Sequence, residues 1–206
     1  MEKWKIDGFT LEFDDTTHTY IYEGVIVPSI TQMLKVKFGN KYDGISKATL
    51  ENAARKGTEV HEAIERYCKL GEESELKELR NFKFMQKLYG FEVKANEIPV
   101  ILFHREWKDL PLAAGRLDLV ITDGDKLGLA DIKRTSALDK NYLAYQLNLY
   151  RIAYEQTYGE EITFLKGIHL RDDTRKYINI PINEDIAWEL VDSYFIKNFT
   201  EENNEH

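Results

Sequence analysis

Apolar and polar positions alternate from Phe9 to Val27: Leu11 and Phe13 against Thr10 and Glu12, then Tyr20-Ile21-Tyr22 after the polar Asp14-Asp15-Thr16-Thr17. That two-residue period predicts a small pair of hairpin strands. Ser29, with Gln32 three residues on, makes a capping box, so a short helix is expected from Ile30 and a loop over 37–44. Ala, Leu, Glu and Lys then dominate 46–70, which reads as helix in two segments broken near Gly57 and stopped by Gly71. A charged helix over 74–89, ended by Gly90, and a strand over 98–107 follow. Two short runs rich in Leu, Ile and Val lie on either side of Asp123-Gly124-Asp125, a strong hairpin signal because Asp-Gly tolerates the positive φ of a tight turn. Asp139 caps a helix to about Tyr158, closed by Gly159; strands over 164–170 and 177–182 come next, and Asn183 caps a last helix from Glu184 to about Asn198. The resulting order, helices, three strands, helix, two strands, helix, is that of an α/β sheet flanked by helices.

Within this pattern a few polar residues stand where packing does not ask for them. Asp118 lies between Leu117 and Leu119, and Asp131 between Ala130 and Ile132, on the two strands of the central hairpin. An ionised carboxylate in an apolar strand is costly unless it is paired or binds a cation, and a divalent metal is the simplest reason for two of them. Lys133 shares a strand face with Asp131, so carboxylate and ammonium flank one small volume. Hard oxygen ligands suit Mg²⁺ or Mn²⁺, and a fixed ammonium suits a phosphorane-like charge or the deprotonation of a water. Taken alone, Asp-x-Lys is more often a salt bridge at a sheet edge; Asp118 and the hairpin shift that balance. His61, Ile64 and Glu65 share a helix face, and Tyr142, Gln146 and Tyr150 recur every four residues on another.

Composition narrows the class. The 206 residues, 43% hydrophobic and 12% aromatic, suffice for one domain with a real core. We expect a single unit over 1–206: a hairpin and helical part over 1–95 that carries His61, a sheet core over 96–200 and an acidic tail over 201–206. The single cysteine, Cys68, excludes an intrachain disulfide, a cysteine-ligated zinc and an iron–sulfur cluster. No run is apolar enough for a membrane helix, and Met1 to Asp7 lacks both a signal-peptide core and transit-peptide character, so a cytoplasmic protein without a membrane partner is expected. A net charge of −8 argues against a protein that coats nucleic acid indiscriminately. Locally, however, 32–56 holds six basic residues, Lys35, Lys37 and Lys41 among them, against two acidic ones, and this is a candidate phosphate track or an ordinary solvated face.

Read together, Pro28-Ser29-Ile30-Thr31, Gly57-Thr58 with His61 and Glu65, Gly115-Arg116-Leu117-Asp118, Asp131-Ile132-Lys133 with Thr135, and Gln146 with Tyr150 resemble the RecB-like branch of the PD-(D/E)xK nuclease superfamily. The likeness spans most of the chain and is nearest to small stand-alone exonucleases, including the mitochondrial genome maintenance exonuclease and phage or prophage relatives. It departs from the pattern in Leu117 where the superfamily name has Pro, and in Asp131 where Glu is the usual alternative. The resemblance implies a restriction-endonuclease-like core with a mixed sheet. It also implies a Mg²⁺ or Mn²⁺ held by His61, Asp118, Asp131 and the Ile132 carbonyl, with Lys133 placing or activating water. Gln146 and Tyr150 would orient Lys133 and touch the phosphate backbone, and Arg116, Arg134 and Thr135 would also touch DNA. The activity so implied is a deoxyribonuclease, an exonuclease on single-stranded DNA or DNA ends in recombination, repair or phage DNA processing, acting alone or recruited by a recombination or replication partner protein. Two alternatives stand beside it: a catalytically silent nucleic-acid- or protein-binding module on the same fold, and a structure-specific endonuclease.

Overall fold

The structure, a computed structural model, describes residues 1–39 and 44–204, with side chains described as far as Asn198. It is α/β. Four strands, β1 (Glu2–Ile6), β2 (Phe9–Asp14), β3 (Thr19–Tyr22) and β4 (Val25–Val27), form an antiparallel N-terminal sheet in chain order. Helices α1 (Ile30–Phe38), α2 (Lys47–Leu70) and α3 (Lys77–Tyr89) lead into β5 (Glu92–Phe103), β6 (Pro111–Asp123) and β7 (Lys126–Lys133). Helix α4 (Lys140–Tyr158) crosses over to β8 (Phe164–Arg171), then β9 (Thr174–Ile180) and α5 (Glu184–Asn204) complete the chain. The second sheet is ordered β5-β6-β7-β8-β9 and is mixed, because the helical crossover makes β7 and β8 parallel while every other pair is antiparallel.

Helices cover both faces of this sheet. Buried residues of α1, α4 and α5 pack with Val120, Leu129 and Leu165, whereas Val60 and Ile64 of α2 and Leu79, Phe82 and Met85 of α3 pack with Leu119, Ile121, Ala130 and Ile132. The N-terminal sheet turns Leu11, Phe13, Tyr20 and Val27 onto Ile101, Phe103 and Ala114. It is tied to β6 where the Ala114 N–H donates to the Pro28 carbonyl at 3.0 Å. The Ser29–Gln32 capping box is formed and Asp139 caps α4 as expected, while Gly71, Gly90 and Gly159 end their helices in the left-handed conformation. Among the described residues, no helix is long and apolar enough to cross a membrane.

Several boundaries differ from expectation. The chain begins with a strand, β1, where the alternation of Lys3, Trp4, Lys5 and Ile6 was too short to stand out. Strand β5 starts at Glu92 rather than 98, α3 starts at Lys77 rather than 74, and the last helix continues through the acidic end to Asn204. Helix α1 runs to Phe38, inside the span read as a loop, and Lys41 lies outside the described residues. Helix α2 is unbroken through Gly57, because one glycine weakens a helix interior by only about 1 kcal/mol and twenty-four residues of amphipathic helix held on the core absorb that.

Nothing lies within 4 Å of where a Gly57 Cβ would sit, so Gly57→Ala meets no clash. We expect it to stabilise the fold by about 0.5–1 kcal/mol, a rise in melting temperature of roughly 1–4 °C. Thermal denaturation checks this, and a fall in melting temperature would mean the helix departs from regular geometry there.

Candidate active site

The β6–β7 hairpin closes through Gly124 and Asp125, with Gly124 at φ 58°, and its ladder runs from Asp123↔Lys126 to Leu119↔Ala130. One step further, the same register would set Asp118 opposite Asp131. The strands part there instead. The Ile132 N–H, released from the backbone ladder, donates to Asp118 Oδ2 at 2.7 Å. A carboxylate has thus taken the place of a strand carbonyl, which fixes Asp118 at the mouth of the split.

Three further elements converge on this point. Val60, Ala63 and Ile64 bury one face of α2 against the sheet and carry His61 to its edge, where Nε2 lies 3.1 Å from the Ile132 carbonyl. The other imidazole nitrogen, Nδ1, lies 3.6 Å from Asp118 Oδ1 and 3.8 Å from Glu97 Oε1. Glu97 belongs to β5, whose pairs Asn96↔Leu119 and Ile98↔Leu117 set it beside Asp118. It is a non-glycine residue at φ 51°, a conformation that costs about 1–3 kcal/mol and persists only where the surroundings enforce it. Ligand atoms of His61, Glu97 and Asp118 lie within 4.8 Å of one another. Glu97 has no counterpart among the sequence-read candidates, since it falls just before the apolar run from which β5 was recognised. Its signal was weak: like Asp131 it is an acid next to Ile, but polar Asn96 stands on its other side.

Asp131 and Lys133 sit deeper. Asp131 is buried, and Lys133 Nζ is 2.6 Å from its Oδ2. Burial pushes the Asp131 carboxyl upward against the opposing pull of Lys133. Burial would lower the Lys133 ammonium, but Asp131 and Asp118 outweigh it and hold Lys133 above the ordinary lysine value. For His61, burial likewise favours the neutral ring, yet Asp118 and then Glu97 carry it up to about 9. At neutral pH the cluster therefore balances its carboxylates with an imidazolium and an ammonium.

Tyr150 of α4 is buried and lines the cleft over Gly115; a Cβ there would meet Tyr150 Cε1 at 2.8 Å and Oη at 3.2 Å, so glycine is required for the ring to lie against β6. Gln146, one turn earlier, is buried with its Oε1 unpartnered. Arg116, two residues before Asp118, is held by Glu97 at 2.8 Å and by Glu2 of β1 at 2.9 Å. Arg134, just after β7, is bound to Glu78 at 2.8 Å and Asp172 at 3.3 Å, so its guanidinium is spent within the fold rather than presented to the cleft. Thr135 donates to the Ala137 carbonyl at 2.8 Å and its own carbonyl receives His169 Nε2 at 2.7 Å, a turn contact. Lys35 and Lys37 are exposed on α1, and Lys37 Nζ lies 4.9 Å over the Tyr145 ring. The cleft touches the start of α1 at Ser29 and Thr31, from which Lys37 is about 9 Å along the helix axis.

The cleft, about 750 Å³, is bounded by α2, β5, β6, Tyr150 and the N-terminal sheet. At its head stand donors that fit a hard divalent cation, the carboxylate oxygens of Glu97 and Asp118 and the His61 imidazole; Asp131, its Oδ2 held by Lys133, lies deeper, outside this group and outside the cleft lining. As the ring stands, its Nδ1 faces the carboxylates and its Nε2 is hydrogen-bonded to the Ile132 carbonyl at 3.1 Å, so an ion would take one nitrogen only.

No protein-family model matches the chain, and no curated protein matches it. The chain is similar to a solved structure described as the crystal structure of SSO0001, at 14% sequence identity, covering 82% of this chain and 75% of that one with a TM-score of 0.47. A likeness of that strength leaves function to the chemistry of the site.

Two outcomes follow from this geometry. Gln146 buries an unsatisfied acceptor, which costs about 1–3 kcal/mol, so Gln146→Leu should keep or raise the melting temperature; a clear fall would assign Gln146 a structural bond. His61 titrates higher in the fold than the free value of 6.5, so its imidazolium stabilises fully below about 6.5, and that contribution fades as pH rises through about 9. Thermal melts of the metal-free protein over this range should show a decline that His61→Gln removes, and an equal decline in the variant would contradict the assignment.

Proposed function

We propose that the protein is a Mg²⁺- or Mn²⁺-dependent phosphodiester hydrolase acting on DNA, built on the plan of the PD-(D/E)xK nucleases that its motifs resemble. One observation carries the reading: where β6 and β7 part, a buried Asp131–Lys133 pair stands beside His61, Glu97 and Asp118 at the head of an open cleft. A purely structural ion pair does not need three carboxylates and an imidazole around it, since like charges crowded in a low-dielectric site destabilise the fold.

His61, Asp118, Asp131 and the Ile132 carbonyl are the residues that would hold the ion, with Glu97 as a further donor. Such an ion supplies a water made acidic enough to attack and a positive charge beside the phosphoryl oxygens. Lys133 is an ammonium in the resting cluster, so its role is to hold negative charge on the phosphate oxygens rather than to begin as a base. Asp118 keeps the split between the strands open through its bond to the Ile132 N–H, and Tyr150 presents its hydroxyl from the cleft wall. Arg116 keeps Glu97 in place and lies near enough to the cleft to meet a phosphate.

A second reading, a silent binding module, draws support from the acidity of the cleft, where Glu2, Asp15, Glu62 and Glu65 join the cluster against Lys69 and Arg116. A time course on end-labelled and circular DNA, single- and double-stranded, with Mg²⁺, Mn²⁺ or EDTA separates the possibilities. We expect metal-dependent loss of end label from linear single strands while circles persist; cleavage of circles would favour the endonuclease, and inertness on every substrate would favour the silent module. Lys133→Ala should lower cleavage by about 10²–10⁴-fold while divalent affinity, read by calorimetry, holds or rises. Loss of metal binding in that variant would remove the role given to Lys133.

A further inference from the structure

Trp4 borders two hollows. It lines the site cleft, and it also lines a second hollow along the free edge of β1, where Lys3 and Lys5 stand against one acid, Asp7, beside Pro99 and Tyr158. The indole is half-buried, in register with Leu11 and packed on the apolar cluster beneath the N-terminal sheet, so it is held rigidly with one part of its ring open.

We propose that Trp4 is a base-stacking step on the path of single-stranded nucleic acid, with phosphates of the same strand lying on Lys3 and Lys5. The proposal takes from the hydrolase reading only that a phosphodiester enters the cleft. Beyond Arg116 and Lys69, phosphates on either side of that bond meet a wall on which Glu2 and Asp15 repel them. The cations that adjoin the cleft through Trp4 are Lys3 and Lys5. Both are exposed; among the described residues Lys3 is engaged by Glu12 at 2.6 Å, in a surface pair that a phosphate can displace at little cost. Strand alternation sets the indole on one face of β1 and the two ammonium groups on the other, and at an edge strand both border one hollow. Base and phosphate of an extended strand are separated in the same way. Stacking needs an unpaired base, whereas a duplex would bring a second phosphate backbone against the acidic wall.

Titration of the protein in EDTA with a short oligothymidylate, read by tryptophan fluorescence, tests this without any cleavage. Wild type and Trp107→Phe should show a quench that Trp4→Phe lacks, because Trp107 stands stacked on His104 with 64% of its surface exposed and outside both hollows. Trp4→Ala should weaken binding about fivefold or more. Lys3→Ser with Lys5→Ser, at exposed positions that leave folding intact, should flatten the salt dependence by about 0.7 in slope for each lost phosphate contact. A quench that survives in Trp4→Phe, an equal quench by duplex of the same length, an unchanged salt slope, or no binding of the oligonucleotide overturns the proposal. Cleavage without this quench removes the stacking step and keeps the hydrolase; quench without cleavage does the reverse.

Discussion

Crowding of like charge at the parting of β6 and β7 is the constraint on which the rest of the site depends. Glu97, Asp118 and Asp131 come from three adjacent strands, and in a medium less polar than water their mutual repulsion is worth several kcal/mol. The fold meets it with three cations from three directions: Lys133 on Asp131, His61 between Asp118 and Glu97, and Arg116 on Glu97 and Glu2. The arrangement is balanced in the free protein, and on the proposed reading a metal ion would take the place of a proton.

The surrounding elements supply the stiffness this needs. Helix α2 delivers His61 from one face of the sheet because Val60 and Ile64 are buried there, and α4 delivers Tyr150 from the other because Gly115 leaves room for its ring. The N-terminal sheet closes the third side. Its Glu2 holds Arg116, its Phe13, Tyr20 and Val27 rest on β5 and β6, and Pro28-Ser29, just after β4, lead directly into capped α1. Removing that sheet would expose an apolar surface and free Arg116, so it belongs to the site as much as to the scaffold.

The central hairpin, α4 with its caps and the chain order of the second sheet were legible because each is written locally: Asp-Gly in a turn, Asp139 and Gly159 at the helix ends, acids in apolar runs. Asp118, Asp131 and Lys133 were read from the same signals. Convergence of His61 on the hairpin, seventy-one residues away from Ile132, came from resemblance and not from spacing, since nothing local fixes which sheet edge a helix meets. Glu97 escaped because its strand was recognised only from the fully buried run after it, and a left-handed glutamate leaves no trace in an alternation pattern. The same locality explains Arg134 and Gly57. A basic residue beside a catalytic-looking lysine reads as a DNA contact until Glu78 claims it, and a glycine reads as a break until tertiary packing holds the helix through it.

The claim that these side chains form one cation site is tested most directly by diffraction from crystals soaked in Mn²⁺, with data collected near the manganese edge. The account requires an anomalous peak within coordinating distance of His61 and Asp118, with at least one of Glu97 and Asp131 turned toward it and the contact between His61 and the Ile132 carbonyl rearranged around the ion. A soaked crystal with no peak in the cleft, or with manganese elsewhere and the His61, Glu97 and Asp118 contacts unchanged, would contradict it.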